Sequence, residues 1–216
     1  MRQSDGDHPR IENVFVLCTG RCGSTTFIRA CEKIENFTAS HESRSKLLGS
    51  DRICYPKRHI EADNRLTWFL PRLAAKVDPA TTLFVHLTRS HSDVVKSFTY
   101  RKDGGIMKAY RDGILMREGG KTSAEDDFLI AEDYVRCVNE HIDTFLATQV
   151  NVMRLELERI SQDFPEFWRR IGAIGSLSGA MEQLEIHHNK IDVGALRKRS
   201  SFFGHAKRLV KNSLWR

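Results

Sequence analysis

The sequence predicts an α/β fold, a single domain built on a parallel β-sheet flanked by helices. Apolar runs of strand length alternate along the chain with stretches of helical periodicity. One of them, residues 14–18, breaks at Thr19-Gly20 into a turn holding Gly20 and Gly23, and a helical stretch opens at Ser24. Gly20, Glu42 and Arg89 each directly follow an expected strand. Open α/β sheets bind ligands at the C-terminal ends of their strands, so distant chain positions converge on one edge.

The elements follow in order. Residues 13–18 form the first strand and 24–34 the first helix. A short strand at 37–40 delivers His41 and Glu42, and residues 43–57 read as a loop broken by Gly49 and Pro56. Residues 62–77 read as a helix with Leu66, Phe69, Leu70 and Leu73 on one face, which Pro71 should kink or end early. A strand at 83–88 precedes a helix at 93–101 with Ser92 as its N-cap. Residues 102–121 hold five glycines and many charges and read as a mobile cover. A long amphipathic helix, capped by Ser123, spans 123–148 and buries Phe128, Tyr134, Val138, Ile142 and Phe145. The last strand covers 151–157, and short helices follow at 164–171 and 176–184. The expected organisation is a polar tail at 1–12, the domain at 13–194 and a basic segment at 195–216.

Composition narrows the class. At 216 residues the chain can bury a sizeable core. It has no run of 18 apolar residues and opens on the polar MRQSDGDHPR, so no membrane span or signal peptide is expected, and a cytoplasmic protein is. Five cysteines without a C-x-x-C pair argue against a disulfide framework or a structural zinc site, and no metal site is expected. Cys22 reads as a small residue filling the turn, although a helix N-terminus and Arg21 beside it would favour a lowered thiol pKa. The net charge of +6 is concentrated in residues 195–216, which hold seven Lys or Arg and no acid. Phe202, Phe203 and Trp215 are interleaved there, yet no nucleic-acid module accompanies them, and nucleic acid is not the expected partner. The adjacent His187 and His188 are not spaced to share a metal, and Glu125, Asp126 and Asp127 sit where a helix start favours acids.

The chemistry lies at residues 19–26. Backbone N–H groups converge at a glycine turn that opens a helix, and the helix dipole adds partial positive charge. Arg21 adds a full charge, so the turn should hold a phosphate or something of that shape. The P-loop NTPase motif, G-x-x-x-x-G-K-[ST], fits poorly, because Ser24 follows Gly23, Thr19 stands four residues before it, and the turn has no Lys. The strand at 83–88 ends on Arg89, where an NTPase would place an Asp for magnesium.

Together, TGRCGSTT at 19–26 and the strand–turn–helix 83–101, with Arg89 and Ser97 eight residues apart, resemble the sulfotransferases that use 3′-phosphoadenosine 5′-phosphosulfate. The resemblance implies a P-loop NTPase-like sulfotransferase fold and that nucleotide as co-substrate, with no metal required. It implies that Thr19, Gly20, Arg21, Cys22, Gly23, Ser24, Thr25 and Thr26 bind the 5′-phosphosulfate, with Arg21 on the leaving oxygen, where cytosolic members carry Lys. Arg89 and Ser97 would then bind the 3′-phosphate. Arg197 and Lys198 are similar to a basic loop that closes over the nucleotide, although Arg199 stands where that loop has Gly. Two residues compete for the base. Glu42 lies 21 residues after Arg21, as the catalytic Glu does in tyrosyl-protein members with an Arg in the loop. His59, in 55–59, is similar to the Lys-x-His of cytosolic members. The favoured base is Glu42. The acceptor is expected to be a carbohydrate or other small molecule with a hydroxyl. A P-loop-like nucleotide kinase and a non-catalytic binder of nucleotides or polyanions are the alternatives.

Overall fold

The computed structural model describes residues 10–117 and 122–186. These fall into two compact units, 10–94 with 135–186 and 95–117 with 122–134. Residues 1–9, and with them most of the polar tail, and the basic segment 195–216 lie outside the described residues, as do His187 and His188.

The first unit holds a five-stranded sheet: β1 (Asn13–Leu17), β2 (Thr38–His41), β3 (His59–Ala62), β4 (Thr82–Thr88) and β5 (Val152–Glu156). Every pairing is parallel, and the order is β2-β3-β1-β4-β5. The α/β fold with a parallel sheet and flanking helices is thus the one the sequence predicts. The sequence reading has four strands and misses β3. The tetrapeptide HIEA carries two ionisable residues and follows Lys57-Arg58, which reads as surface, yet all four of its residues are buried.

Central strand β1 is apolar because both of its faces are covered. Val14, Val16 and Cys18 join Ile60, Ala62, Val85 and Leu155 in a core roofed by α1 (Ser24–Cys31), α6 (Ile160–Arg170) and α7 (Leu177–Glu185). Phe27 of α1 meets Phe164 and Phe167 of α6 edge-on, with centroids 5.6 and 5.1 Å apart. On the other face Phe15 packs against Tyr55 and Phe84, and Phe84 against Phe145 of α5 (Ala124–Leu146). Aromatic contacts of this kind contribute about 0.5–1.5 kcal/mol each beyond their area.

Two predicted helices differ in detail. Residues 64–69 form a 3-10 helix, and the α-helix α2 (Leu70–Ala74) starts beside Pro71 instead of being broken by it. A proline lacks only an N–H that the first helical turn leaves unpaired anyway. Helix α3 (His91–Thr99) starts before Ser92, which therefore stands inside it, and the carbonyl of Ser90 accepts from Val94.

The second unit contains the end of α3, α4 (Gly105–Ala109), one π-helical turn (Tyr110–Ile114) and the start of α5. The stretch read as a mobile cover is helical over 105–114. Phe98 and Tyr110 pack on Tyr134, and Tyr110 donates to Asp133 at 2.7 Å. Ser123 caps α5 as predicted: its Oγ accepts from Asp126 N–H at 3.0 Å, and Asp126 accepts in return from Ser123 N–H.

His86 of β4 marks a pH-sensitive point in the first unit. Its ring is buried, with Nε2 3.2 Å from Asn139 Oδ1, and with Nδ1 3.1 Å from Arg154 and 3.3 Å from Asp143. Burial holds its pKa below the ordinary value near 6.5, outweighing the nearby Asp143. Above that value neither state is protonated. As pH falls through it the unfolded chain takes up a proton that the folded chain resists, and stability drops. Urea unfolding at pH 7.5 and 5.5 should show this loss, and His86→Gln should make it smaller; an unchanged loss would remove His86 as its source.

Candidate functional site

The candidate site is built at the C-terminal edge of the sheet. Parallel pairing aligns Leu17, His41 and Ala62 near that edge, so the chain segments leaving these strands emerge side by side. From β1 the chain turns through Gly20, Arg21 and Gly23, all with positive φ, at 83°, 62° and 86°. Glycine reaches that region without penalty, whereas Arg21 does so at about 1 kcal/mol. Successive left-handed residues turn their N–H groups toward one concavity. Gly23 also permits close packing: a Cβ there would lie 2.5 Å from Leu157 Cδ1, just beyond β5.

Gly23 is the N-cap of α1, and no side chain caps this helix. The first intrahelical bond runs from Phe27 N–H to Gly23 O at 2.9 Å, so the N–H groups of Gly23, Ser24, Thr25 and Thr26 have no intrahelical acceptor. Ser24 and Thr26 are buried and Thr25 is half-buried.

Cys22 is fully buried and belongs to the apolar core. The thiol of Cys18 donates to it and holds its pKa below the ordinary thiol value against the effect of burial, with help from the N–H groups of Ser24, Cys22 and Gly20. The same hydrogen bond, with burial, pushes Cys18 up. Cys22 fills the turn as a small buried residue, and the downward push on its pKa comes first from the Cys18 thiol, not from Arg21.

The neighbouring strand ends tie into the loop. Asn64, two residues after β3, donates to Thr19 O at 3.4 Å, and Arg89 after β4 donates to Arg21 O at 3.4 Å. Arg89 also lies 3.5 Å from Asp93 and is about a third exposed. Ser24 Oγ and His41 Nε2 are 3.0 Å apart, linking the start of α1 to the end of β2. Glu42 follows with φ 54°, its N–H bonded to Ala62 O at 3.0 Å and its carboxylate paired with Arg65 at 2.7 Å. Ser97 is buried on α3, in the second unit, and Arg197 and Lys198 lie outside the described residues.

The structure corrects the reading of His59. It is the first residue of β3, in register with Asn13 and Thr38 at the N-terminal edge of the sheet. Three residues of strand, roughly 10 Å, separate it from the edge that carries Arg21 and Glu42. Its ring is buried, with Nδ1 2.7 Å from Thr38 Oγ1 and Nε2 3.0 Å from Glu61 Oε2. A histidine so placed and so partnered lies away from the edge that carries Arg21 and Glu42.

Two carboxylates at the site escape a reading of the sequence. Glu61 and Asp63 are both completely buried on β3 and just after it. Asp63 accepts from Arg52 at 2.6 Å and from Arg65 N–H at 2.8 Å. Burial pushes its pKa up and Arg52 opposes that. Only the discovery of β3 would have located them, since charged residues in a short segment look solvent-facing. Among the described residues no three His, Cys, Asp or Glu cluster to hold a metal ion, and no helix is long and apolar enough to cross a membrane.

No protein-family model matches this sequence, and no curated protein matches it. Among solved structures, the fold is similar to the sulfotransferase domain from the curacin biosynthetic pathway, with a TM-score of 0.59 and 12% identity over 83% of this chain and 80% of that one. It is also similar to the sulfotransferase domain from the Synechococcus PCC 7002 olefin synthase, with a TM-score of 0.58 and 12% identity over 87% of this chain and 82% of that one. The chain has a sulfotransferase-like fold.

The Arg52–Asp63 pair is testable as a support of the site. Arg52→Met leaves a buried carboxylate without its charge partner and should cost about 3–5 kcal/mol in urea unfolding. Adding Asp63→Leu should restore much of that loss, because the pair is then replaced by apolar groups. A double variant as unstable as the single would mean that the loss comes from packing.

Proposed function

We propose that this protein is a sulfotransferase that moves a sulfuryl group from 3′-phosphoadenosine 5′-phosphosulfate to an acceptor hydroxyl. One observation carries the reading: an arginine-bearing anion turn and a carboxylate share one sheet edge, coupled through the Ser24–His41 contact. Sulfuryl transfer needs positive charge and N–H donors on the leaving oxygen and a base for the acceptor, and this edge offers both. The similar sulfotransferase domains support the same assignment at the level of the fold.

The donor fits the residues present. The N–H groups of Gly23, Thr25 and Thr26 would hold the 5′-phosphate, with Thr19, Gly20 and Ser24 shaping the turn around it. Arg21 would neutralise charge growing on the bridging oxygen as the sulfuryl group departs. Arg89 would take the 3′-phosphate. Glu42 would accept the proton of the attacking hydroxyl, its carboxylate aimed by Arg65. The sulfuryl group carries less charge than a phosphoryl group, so this scheme assigns no step to a metal. A small molecule or carbohydrate is the acceptor class proposed, and a cytoplasmic location agrees with it.

Asp63 gives the kinase reading its one favourable observation, a buried carboxylate just after β3, the strand next to β1. A magnesium ion would need it free, whereas Arg52 and the N–H of Arg65 already occupy its oxygens. Turnover of ATP with magnesium would favour that reading over sulfuryl transfer.

The nucleotide tests the scheme first. 3′-Phosphoadenosine 5′-phosphate should raise the melting temperature, and AMP should raise it much less, since Arg89 then lacks its phosphate. Arg89→Ala should weaken binding by about 2–4 kcal/mol in calorimetry. Equal shifts from both nucleotides would sink the 3′-phosphate assignment.

Turnover tests the roles. Arg21→Ala should lower kcat, measured with radiolabelled sulfate donor across an acceptor screen, more than it weakens binding of the product nucleotide, because leaving-group charge peaks in the transition state. Glu42→Gln should lower kcat on the order of 10²–10⁴-fold while nucleotide binding survives. Wild-type turnover in either variant would contradict the role given to that residue.

A further inference from the structure

We propose that Glu61, a residue outside the anion turn, is the positioning residue for Glu42, acting through Ser43. This inference rests on the reading of Glu42 as the base.

Glu61 is an unusual group to find in a strand. It sits in the middle of β3, pairs in register with Ser40 of β2 and Phe15 of β1, and is completely buried. A carboxylate removed from water must have its oxygens satisfied. Ser43 N–H donates to Oε1 at 2.7 Å, Ser43 Oγ donates to Oε2 at 2.6 Å, and His59 Nε2 lies 3.0 Å from Oε2. His59 is itself fixed by Thr38 Oγ1 at 2.7 Å and by stacking on Tyr55, with ring centroids 5.6 Å apart.

Two of the three donors to Glu61 therefore belong to one residue, and that residue directly follows Glu42. The chain leaves β2 at Glu42 by adopting φ 54°, a conformation that costs a non-glycine residue about 1 kcal/mol and persists only where its surroundings over-determine it. Those surroundings come from β3 and the turn after it. Ala62 O holds Glu42 N–H on one side, Glu61 grips the backbone and side chain of Ser43 on the other, and Arg65 fixes the carboxylate. Without the grip on Ser43 the strained residue is free to relax, and the carboxylate turns with it. The candidate base is thus set by a second carboxylate that never meets substrate.

A purely structural Glu61 would change the melting temperature alone. A positioning Glu61 also changes how Glu42 works. The test uses Glu61→Gln, Ser43→Ala and Ser43→Thr, with kcat, product-nucleotide Kd and NMR titration of the Glu42 carboxyl carbon in each. Glu61→Gln keeps the shape but brings an amide N–H₂ toward a donor, and Ser43→Ala removes one of the two bonds at an exposed position. Both should lower kcat roughly tenfold or more, since small misplacements of a reacting group have such effects. Nucleotide Kd should stay within about twofold, as expected when only the acceptor side is disturbed. The midpoint of the Glu42 titration should move, and Ser43→Thr should restore both readouts. If Glu61→Gln does not fold, Ser43→Ala decides. Wild-type kcat and an unmoved Glu42 titration in the folded variants would overturn the proposal. Wild-type turnover in Glu42→Gln would instead remove Glu42 as the base, while its titration in the Ser43 variants still tests the positioning.

Discussion

Strand β1 is hydrogen-bonded to β3 on one side and to β4 on the other, and both of its faces are buried. Its C-terminal end has no freedom to move without breaking two ladders and an apolar core. The turn that follows inherits this rigidity and is pinned further, with Asn64 on Thr19 O and Arg89 on Arg21 O. Pre-organised N–H donors act on developing charge without reorganising at the moment of reaction. A left-handed arginine at the same place would otherwise relax. The edge strand β2 has only one neighbour, and the elaborate support of Glu42 by β3 compensates for that lack.

The electrostatics of the edge follow from what is buried beside it. Asp63 and Glu61 are two buried carboxylates on and just after β3, one engaged by Arg52 and the other by Ser43 and His59. Buried ion pairs contribute little net stability, since desolvation offsets attraction, but they hold geometry when both partners are present. Cys22 adds to the same picture. The Cys18 thiol, with the N–H groups of Ser24, Cys22 and Gly20, holds the pKa of Cys22 below the ordinary thiol value against burial.

Much of this was legible before any coordinates. The Val14–Cys18 run, the spacing of Gly20 and Gly23, and the hydroxyl residues after them specify a strand, a turn and a helix start by local physics alone. The same holds for β4, for α5 with its Ser123 cap, and for Glu42 as the residue that leaves a strand. What stayed hidden was hidden by burial. His59, Glu61 and Asp63 carry polar side chains into the interior because each finds a partner from a different segment: Thr38, Ser43 and Arg52. Such pairings are long-range and leave no periodicity, so β3 read as loop and His59 as a reachable base. The α2 region failed differently. Pro71, expected to kink or end a helix, instead stands in the first turn of one.

Amide NMR tests the proposed nucleotide site of residues 20–26 and Arg89 most directly. In a titration with 3′-phosphoadenosine 5′-phosphate, the largest shifts should fall on the backbone N–H groups of Gly23, Thr25 and Thr26, with Arg89 following at the same concentration of ligand. Shifts confined to other segments, with the amides of this turn unmoved at saturation, would contradict a donor site at this edge of the sheet.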